Sequence, residues 1–355
     1  MGTKLNLAVV GLTAGASHVK DYMSNESVAN VAICDIDESK LKDVGDKHGI
    51  TNRYTDYDEM LAVEKPDAVS VTVPNFLHLP FTVKALEAKA HVLCEKPMAR
   101  NATEAEKMLL CAKKHEKKLM INFNQRFQRE VSVLKTIIDK GALGDIYFVR
   151  TIWQRRRGVP WWYPLESGQH TCGGGALIDL GVHVLDRAMW LCGFPEPAWV
   201  MGNTFCKLSS EEAAQRGISN FEVEDMAVAM IRMTNGTMLE LEASWAGNRE
   251  NEVVMTRVYG TQGGAMLKTV VKPEKEVSNL LFFESNGNPI DIDIDRELAP
   301  HIPSANVRDA FIQAIVNDTE VPCTPSQGLL INKMIDAVYE SANGGYPVDL
   351  KQGVS

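Results

Sequence analysis

Leu5-Asn6-Leu7-Ala8-Val9-Val10-Gly11-Leu12-Thr13-Ala14-Gly15-Ala16-Ser17-His18 is an apolar run of strand length that stops at a glycine and continues into a helix-compatible segment. Val28 to Ile33 is a second apolar run, closed by Cys34-Asp35. Strand, helix and strand in that order read as a β-α-β unit. The loop after the first strand is one glycine short of the G-x-G-x-x-G dinucleotide fingerprint, with Thr13 where a glycine is usual. Gly11 remains for the tight turn and Gly15 for close approach to a pyrophosphate at the helix N-terminus, with Thr13 and Ala16 beside it. Asp35 ends the second strand, where a carboxylate can hydrogen-bond an adenosine ribose and repel a 2′-phosphate, so NAD is favoured over NADP. The same carboxylate could instead cap the helix that follows, a role also open to Asp37.

Outward from this unit the same rhythm continues. Ala68 to Val73, His91 to Cys94 and Leu119 to Phe123 are near-continuous apolar runs alternating with helical patterns such as Phe81 to Lys89. Strands of that kind belong to a parallel sheet covered on both faces. Two of them run into polar segments at the edge where open α/β sheets bind ligands: Pro74-Asn75-Phe76-Leu77-His78 and Glu95-Lys96-Pro97. Lys96 follows a buried strand and precedes a proline that restricts its backbone, which places its ammonium at that edge.

At 355 residues the chain is long enough for two cores. Its 37 basic and 46 acidic residues give a net charge of -9, which argues against a nucleic-acid or anionic-membrane partner. No apolar run reaches the roughly 20 residues of a membrane span, and the first strand follows Met1 without a signal-peptide pattern, so a cytoplasmic protein is expected. Seven cysteines, odd in number and without C-x-x-C spacing, suit reduced thiols better than disulfides or zinc. Cys172 beside His170 falls short of the three or four ligands of a tight metal site, so no metal is expected.

From Asp145 the pattern changes. Ile146 to Arg156 alternates as a strand, and further strands are expected at Met226 to Thr234 and Thr237 to Trp245, joined by the hairpin signal Asn235-Gly236, then at Asn251 to Tyr259, Ala265 to Val270 and Asn279 to Phe283. That is a large, open, mostly antiparallel sheet. Val307 to Asn317 and Gln327 to Asn343 read as closing helices. The division expected is a dinucleotide-binding domain over 1–125 and an α+β domain over 126–355. At the junction, Asn124 and Arg126 are candidates for substrate contact, with a structural arginine an equal alternative. Arg155-Arg156-Arg157 could face an anionic substrate or form a solvated edge, and Trp161 and Trp162 could meet a sugar's C–H face or simply pack. His170 lies in the same substrate loop.

Gly173-Gly174-Gly175-Ala176-Leu177-Ile178-Asp179-Leu180-Gly181-Val182-His183-Val184-Leu185-Asp186-Arg187-Ala188-Met189-Trp190 reads as a helix opened by glycines that leave room for substrate. At 3.6 residues per turn most of its circumference is apolar, and Asp179, His183, Asp186 and Trp190 share the remaining strip. A carboxylate and an imidazole one turn apart on an otherwise buried helix suggest chemistry, an ordinary exposed i, i+4 pair being the alternative.

The glycine turn, Asp35, the P-N-x-x-H segment (Pro74, Asn75, His78), the E-K-P segment (Glu95, Lys96, Pro97) and the G-G-G-x-x-x-D-x-G-x-H run to Asp179 and His183 together resemble the Gfo/Idh/MocA oxidoreductases. The resemblance covers nearly the whole chain. It implies a nicotinamide-binding Rossmann domain holding NAD through the glycine loop, Asp35 and the Pro74–His78 and Glu95–Lys96 segments. A second domain would carry an open sheet whose outer face joins subunits of a homodimer or homotetramer. It implies further that Lys96, Asp179 and His183 form the catalytic set, acting by hydride transfer on a secondary alcohol of a sugar, inositol or related polyol. The rival functions are an NAD-dependent glycosidase, an enzyme that recycles its bound cofactor, and a sensor that binds NAD and sugar without turnover.

Overall fold

The computed structural model describes residues 4–161, 168–219, 221–271, 275–284, 288–292 and 306–351. The chain forms two compact units, Met1–Phe123 with Pro303–Asn332, and Asn124–Ile302 with Lys333–Ser355.

The first unit runs β1 (Leu5–Val10), α1 (Leu12–Met23), β2 (Val28–Cys34), α2 (Glu38–His48), β3 (Arg53–Tyr54), α3 (Tyr57–Glu64), β4 (Ala68–Val71), α4 (His78–Glu87), β5 (His91–Cys94), α5 (Ala102–His115) and β6 (Leu119–Ile121). The strands lie in the order β3-β2-β1-β4-β5-β6 and all pair in parallel. That order reverses between β1 and β4, the switch point at which doubly wound sheets bind nucleotides. The apolar runs form strands because both faces are covered: every residue of β4 is buried, as are the last four of β1 and of β2. The starts of α2 and α5 are fixed by side-chain caps. Asp37 accepts from Ser39 N and Lys40 N at the head of α2, and Asn101 accepts from Glu104 N at the head of α5.

The second unit contains α6 (Arg129–Asp139), β7 (Ile146–Gln154), α7 (Gly168–Cys172), α8 (Val182–Leu191), β8 (Pro197–Phe205), α9 (Ser209–Gln215), β9 (Met226–Met233), β10 (Met238–Ser244), β11 (Glu252–Gly260), β12 (Gly263–Val271), β13 (Glu276–Glu284), β14 (Pro289–Asp291) and β15 (Val348–Asp349). Among the described residues its sheet has nine strands in the order β14-β13-β12-β11-β7-β10-β9-β8-β15, antiparallel except where β10 meets β7. Asn235-Gly236 makes the expected turn between β9 and β10, with Gly236 at φ 96° and Met233 N donating to Thr237 O at 2.8 Å. Ala227, Ala229, Ile231 and Met233 of β9 and Leu239, Leu241 and Ala243 of β10 point inward. That is the period-2 pattern of a sheet covered on one face, the larger side chains Ile231, Met233, Leu239 and Leu241 each contributing roughly 1.5–3 kcal/mol when fully buried. Helix α8 lies on the covered face, where Thr151 Oγ1 of β7 donates to Val184 O at 3.3 Å.

The last two helices are α10 (Val307–Val316) and α11 (Pro325–Gly344). They correct the division at residue 125, because Pro303–Asn332 returns to the first unit. Asn25 Nδ2 donates to Asp309 Oδ1 at 2.8 Å, Arg308 Nη2 to Ser17 Oγ at 2.9 Å, and Ile121 N to Cys323 O at 3.1 Å. These contacts join segments 202 to 291 residues apart, and hydrophobic periodicity alone carries no signal for them. The strands β8 and β15 also went unread, β8 because Pro197-Ala198-Trp199-Val200-Met201-Gly202 alternates poorly.

Candidate active site

At the nucleotide end of the first unit, Gly11 has φ +88° and a Cβ there would lie 2.6 Å from Thr72 O, so the turn requires glycine. Gly15 has a different task from the one its sequence suggests. A Cβ on it would meet Thr72 Oγ1 at 2.6 Å and Val9 Cγ1 at 2.7 Å, so this glycine lets α1 pack against the sheet. Both oxygens of Asp35 accept backbone amides: Oδ2 from Leu12 N at 2.6 Å and Oδ1 from Asp37 N at 2.9 Å. The carboxylate thus ties the β2 end to the head of α1. Thr13 is exposed, accepting from Lys40 Nζ at 2.9 Å, and Ala16 is half-buried. A tight glycine turn that runs directly into a helix N-terminus suits a pyrophosphate, so these residues fit a dinucleotide.

The two polar strand ends are joined to each other. His78 is buried, with Nε2 at 2.9 Å from Val73 O after β4 and Nδ1 at 2.8 Å from Pro97 O after β5. Its ring is therefore committed to the backbone, which corrects its expected place among the cofactor contacts. Pro74 leads into a short 3₁₀ turn in which Asn75 is buried. Glu95 likewise turns into the unit. Its Oε1 lies 3.0 Å from His18 Nε2 and accepts from Asn122 Nδ2, His18 Nδ1 lies 3.1 Å from Ser70 Oγ, and Ser70 Oγ is 2.6 Å from Tyr22 Oη. Burial would raise the Glu95 carboxyl, but the His18 hydrogen bond and charge and the Asn122 amide prevail and hold it at about 2. Lys96 is half-buried, and its own amide donates to Glu95 Oε2 at 3.2 Å. Glu95 thus anchors the backbone from which the Lys96 side chain leaves.

In the second unit the single helix expected over 173–190 is three pieces. Gly173 and Gly174 take φ +85° and +151°, Leu177–Gly181 is one π-helical turn, and α8 follows from Val182. A π turn inserts a residue relative to α winding, so the strip read at 3.6 residues per turn does not stay on one face. Asp179 is partly exposed and accepts from Trp245 Nε1 at 2.8 Å. His183 is 8% exposed, its ring 5.5 Å from that of Trp153. Asp186 and Trp190 leave the strip: Asp186 is buried against Arg126, and Trp190 lies under Lys135 Nζ at 5.8 Å from its ring.

The remaining candidates separate cleanly. Arg126 is a structural arginine, 2% exposed, donating through Nε to Asp186 Oδ2 at 2.9 Å with its guanidinium 4.9 Å from the Phe194 ring. Asn124 is exposed at the start of a 3₁₀ turn. Trp161 packs at 5.8 Å on Phe221 under Arg216, beside the cluster of Val159, Ala176, Leu180, Val223, Ala243 and Trp245. That is the packing role, and Trp162 lies outside the described residues. His170 is exposed while Cys172 is buried, its thiol pushed by burial up to about 11. Arg155 and Arg157 are engaged within their own unit, by Glu252 and by Gly247 O and Asn248.

Three functional supports escaped the sequence. Glu224 accepts from Gly175 N at 2.9 Å, Leu177 N at 2.8 Å and Tyr339 Oη at 3.0 Å, and Trp245 grips Asp179. The glycines before Asp179 serve these neighbours more than a substrate. A Cβ at Gly175 would lie 2.0 Å from Glu224 O, and one at Gly174 1.9 Å from Tyr339 Oη. Nothing in Glu222-Val223-Glu224-Asp225 marks one carboxylate as inward, and the single available signal was the glycine run, whose sequence reading was room for a substrate.

Comparison with known proteins agrees with this fold. The profile of an oxidoreductase family described as an NAD-binding Rossmann fold matches residues 5–123, and that of the GFO/IDH/MocA C-terminal domain matches residues 131–266. The chain is 32% identical over 353 residues to D-glucoside 3-dehydrogenase of Escherichia coli K12, covering 98% of this chain and 97% of that one. It is 28% identical over 286 residues to myo-inositol 2-dehydrogenase of Thermotoga maritima, covering 74% and 81%. Among solved structures, aldose-aldose oxidoreductase of Caulobacter crescentus complexed with glycerol superposes with a TM-score of 0.80 at 27% identity, covering 98% of this chain and all of that one.

Proposed function

The chain belongs to the Gfo/Idh/MocA oxidoreductases, and from that premise we propose that it is an NAD-dependent dehydrogenase of a secondary alcohol in a sugar, inositol or related polyol. The observation that carries the reading is the helical stretch in which Trp245 fixes the Asp179 carboxylate four residues before His183. Gly11, Thr13, Ala16 and Asp35 would hold the dinucleotide, which supplies the hydride acceptor when bound, with Gly15 letting the helix that carries Thr13 and Ala16 close on the sheet. The protein's part is the proton and the developing charge. His183 takes the hydroxyl proton as general base, a task suited to an imidazole near neutral pH. Asp179 holds a substrate hydroxyl and fixes the sugar's orientation, and Lys96 stabilises the growing alkoxide.

NAD is preferred over NADP because Asp35 places a carboxylate at the end of β2, where it would repel a 2′-phosphate. The reading includes a cytoplasmic homodimer or homotetramer, which sedimentation would check. A screen of sugars, inositols and uronates with NAD tests the central claim through the appearance of free NADH. His183→Asn should abolish most turnover and remove the pH limb of kcat/KM that belongs to the base. A variant with high KM, near-normal kcat and an unchanged limb would move the base role elsewhere. A second reading, in which one bound cofactor is recycled between two sugars, is supported by the similarity to aldose-aldose oxidoreductase. It expects product from a sugar pair without free NADH.

A further inference from the structure

Glu224 is 7% exposed, yet it gathers the backbone of the turn that delivers Asp179. Its Oε2 accepts from Gly175 N at 2.9 Å, its Oε1 from Leu177 N at 2.8 Å, and its own carbonyl from Ala176 N at 3.1 Å. Three consecutive amides therefore end on one residue. Gly175 O in turn accepts from Asp179 N at 3.1 Å. The next residue works from the other side: Asp225 O accepts from Trp245 N at 2.8 Å, and the Trp245 indole donates to Asp179 Oδ2 at 2.8 Å. Residues 224 and 225 thus hold both the main chain entering Asp179 and the side chain gripping its carboxylate.

We propose that Glu224, in its ionised form, is a positioning residue for Asp179, and that its protonation loosens the 175–177 turn and lowers turnover. This rests on the dehydrogenase reading of Asp179. An ionised carboxylate only accepts, and three donors point at it: two amides and the Tyr339 hydroxyl. A proton on the carboxyl displaces one of these donors: placed toward an amide it sets O–H against N–H in a buried site, and placed toward Tyr339 it turns that hydroxyl from donor to acceptor. The fit leaves no room for adjustment, since a Cβ at Gly175 would already overlap the Glu224 backbone. Burial pushes the Glu224 carboxyl up to about 7 in spite of its three donors, so the two forms exchange in the physiological range. Among the described residues the titratable groups around it are few. Tyr339 comes from α11, with Asp336 nearly one turn before it; Cys206 precedes α9; and Asp225 turns its carboxylate to the amides of Lys207, Leu208 and Ser209.

The test uses E224Q and Y339F in the full chain, with circular dichroism as the check of folding. For E224Q, kcat/KM toward the best sugar should fall on the order of tenfold to a hundredfold, while NAD binding, read by fluorescence, stays unchanged. The amide of glutamine puts a permanent donor where the carboxylate accepted, so the part of the acid limb near neutrality should vanish. Y339F removes a donor that favours the ionised form, so its limb should move to higher pH with activity recovered in alkali. A residue that merely stabilised the fold would leave both limbs in place. Wild-type kcat/KM in E224Q, or an unmoved limb in Y339F, overturns the proposal; if E224Q does not fold, Y339F decides alone. The ¹⁵N shift of Gly175 in glycine-labelled wild-type protein separates failure of this idea from failure of the dehydrogenase reading. A titration near neutrality that E224Q abolishes supports the proposal even when no sugar is turned over, and a flat shift refutes it.

Discussion

Asp186→Asn should destabilise the second unit far more than a surface substitution, and Arg126 decides why. The two side chains are 1% and 2% exposed and joined by Nε to Oδ2 at 2.9 Å plus a second contact from Nη2. Removing either charge strands the other away from water, which costs about 3–5 kcal/mol. For a unit of this size that is a fall in melting temperature on the order of 10 °C. Arg126→Met with Asp186→Leu removes both charges and roughly keeps the volume, so it should recover to within about 1–2 kcal/mol of the starting protein or exceed it. Urea unfolding of the two single variants and the double variant gives the coupling. KM for the best sugar, measured on each folded variant, gives the function. A structural pair predicts a double variant with restored stability and near-normal KM. If Arg126→Met leaves stability intact but raises KM, and the double variant does not recover it, the arginine contacts substrate and its assignment to Asp186 fails.

Lys96→Ala should keep the fold and NAD affinity while lowering kcat at least a hundredfold, since one half-buried cation adds little to folding but much to a developing alkoxide; normal turnover would remove it from the mechanism. The ratio of kcat/KM for NAD over NADP should exceed one and narrow in Asp35→Asn, which drops the charge but can still accept an amide, whereas Asp35→Ser also strands Leu12 N; a wild-type preference for NADP would refute the ribose role. Glu95 sets an acid limit. Its carboxyl is held from 4.5 down to about 2, so its contribution to stability, roughly 3 kcal/mol at most, is complete above pH 4.5 and lost as pH falls toward 2. Glu95→Gln should therefore be less stable at neutral pH and show a flatter acid limb in thermal melts; an acid limb parallel to wild type would show that the His18 pair does not govern it.

The first unit was readable as a parallel sheet because its strands, the two-residue β3 apart, lie in near-continuous apolar runs, the composition that burial on both faces requires. Gly11 and the Asn235-Gly236 hairpin were readable for a different reason: backbone conformations that favour glycine write themselves into single positions. What was not readable is direction. Glu95, His78 and Asp35 stand in motif positions that suggest cofactor contact, yet Glu95 turns to His18, His78 to two carbonyls and Asp35 to two amides. The residue type fixes what a side chain can bond to and leaves open which of several partners it meets.

The stretch before His183 shows how far a periodicity argument reaches. It assigned four polar residues to one strip because it assumed 3.6 residues per turn throughout, and the π turn at Leu177–Gly181 breaks that assumption ahead of His183. Gly181 carries part of the reason: a Cβ there would lie 2.9 Å from Leu177 Cδ1 and 3.2 Å from Ala243 Cβ, so the wound segment is pressed against β10 at its tightest point. The other part lies far along the chain, where Glu224 fixes Gly175 and Leu177, and Trp245 fixes Asp179. With its start held from residue 224 and its carboxylate from residue 245, the segment must take up one extra residue before α8 begins. Asp186 then faces Arg126 and no longer shares a face with Asp179. The polar strip is therefore two sites of different kinds, one with a partly exposed carboxylate four residues before a histidine and one a closed ion pair, and tertiary partners, more than helical period, divide them.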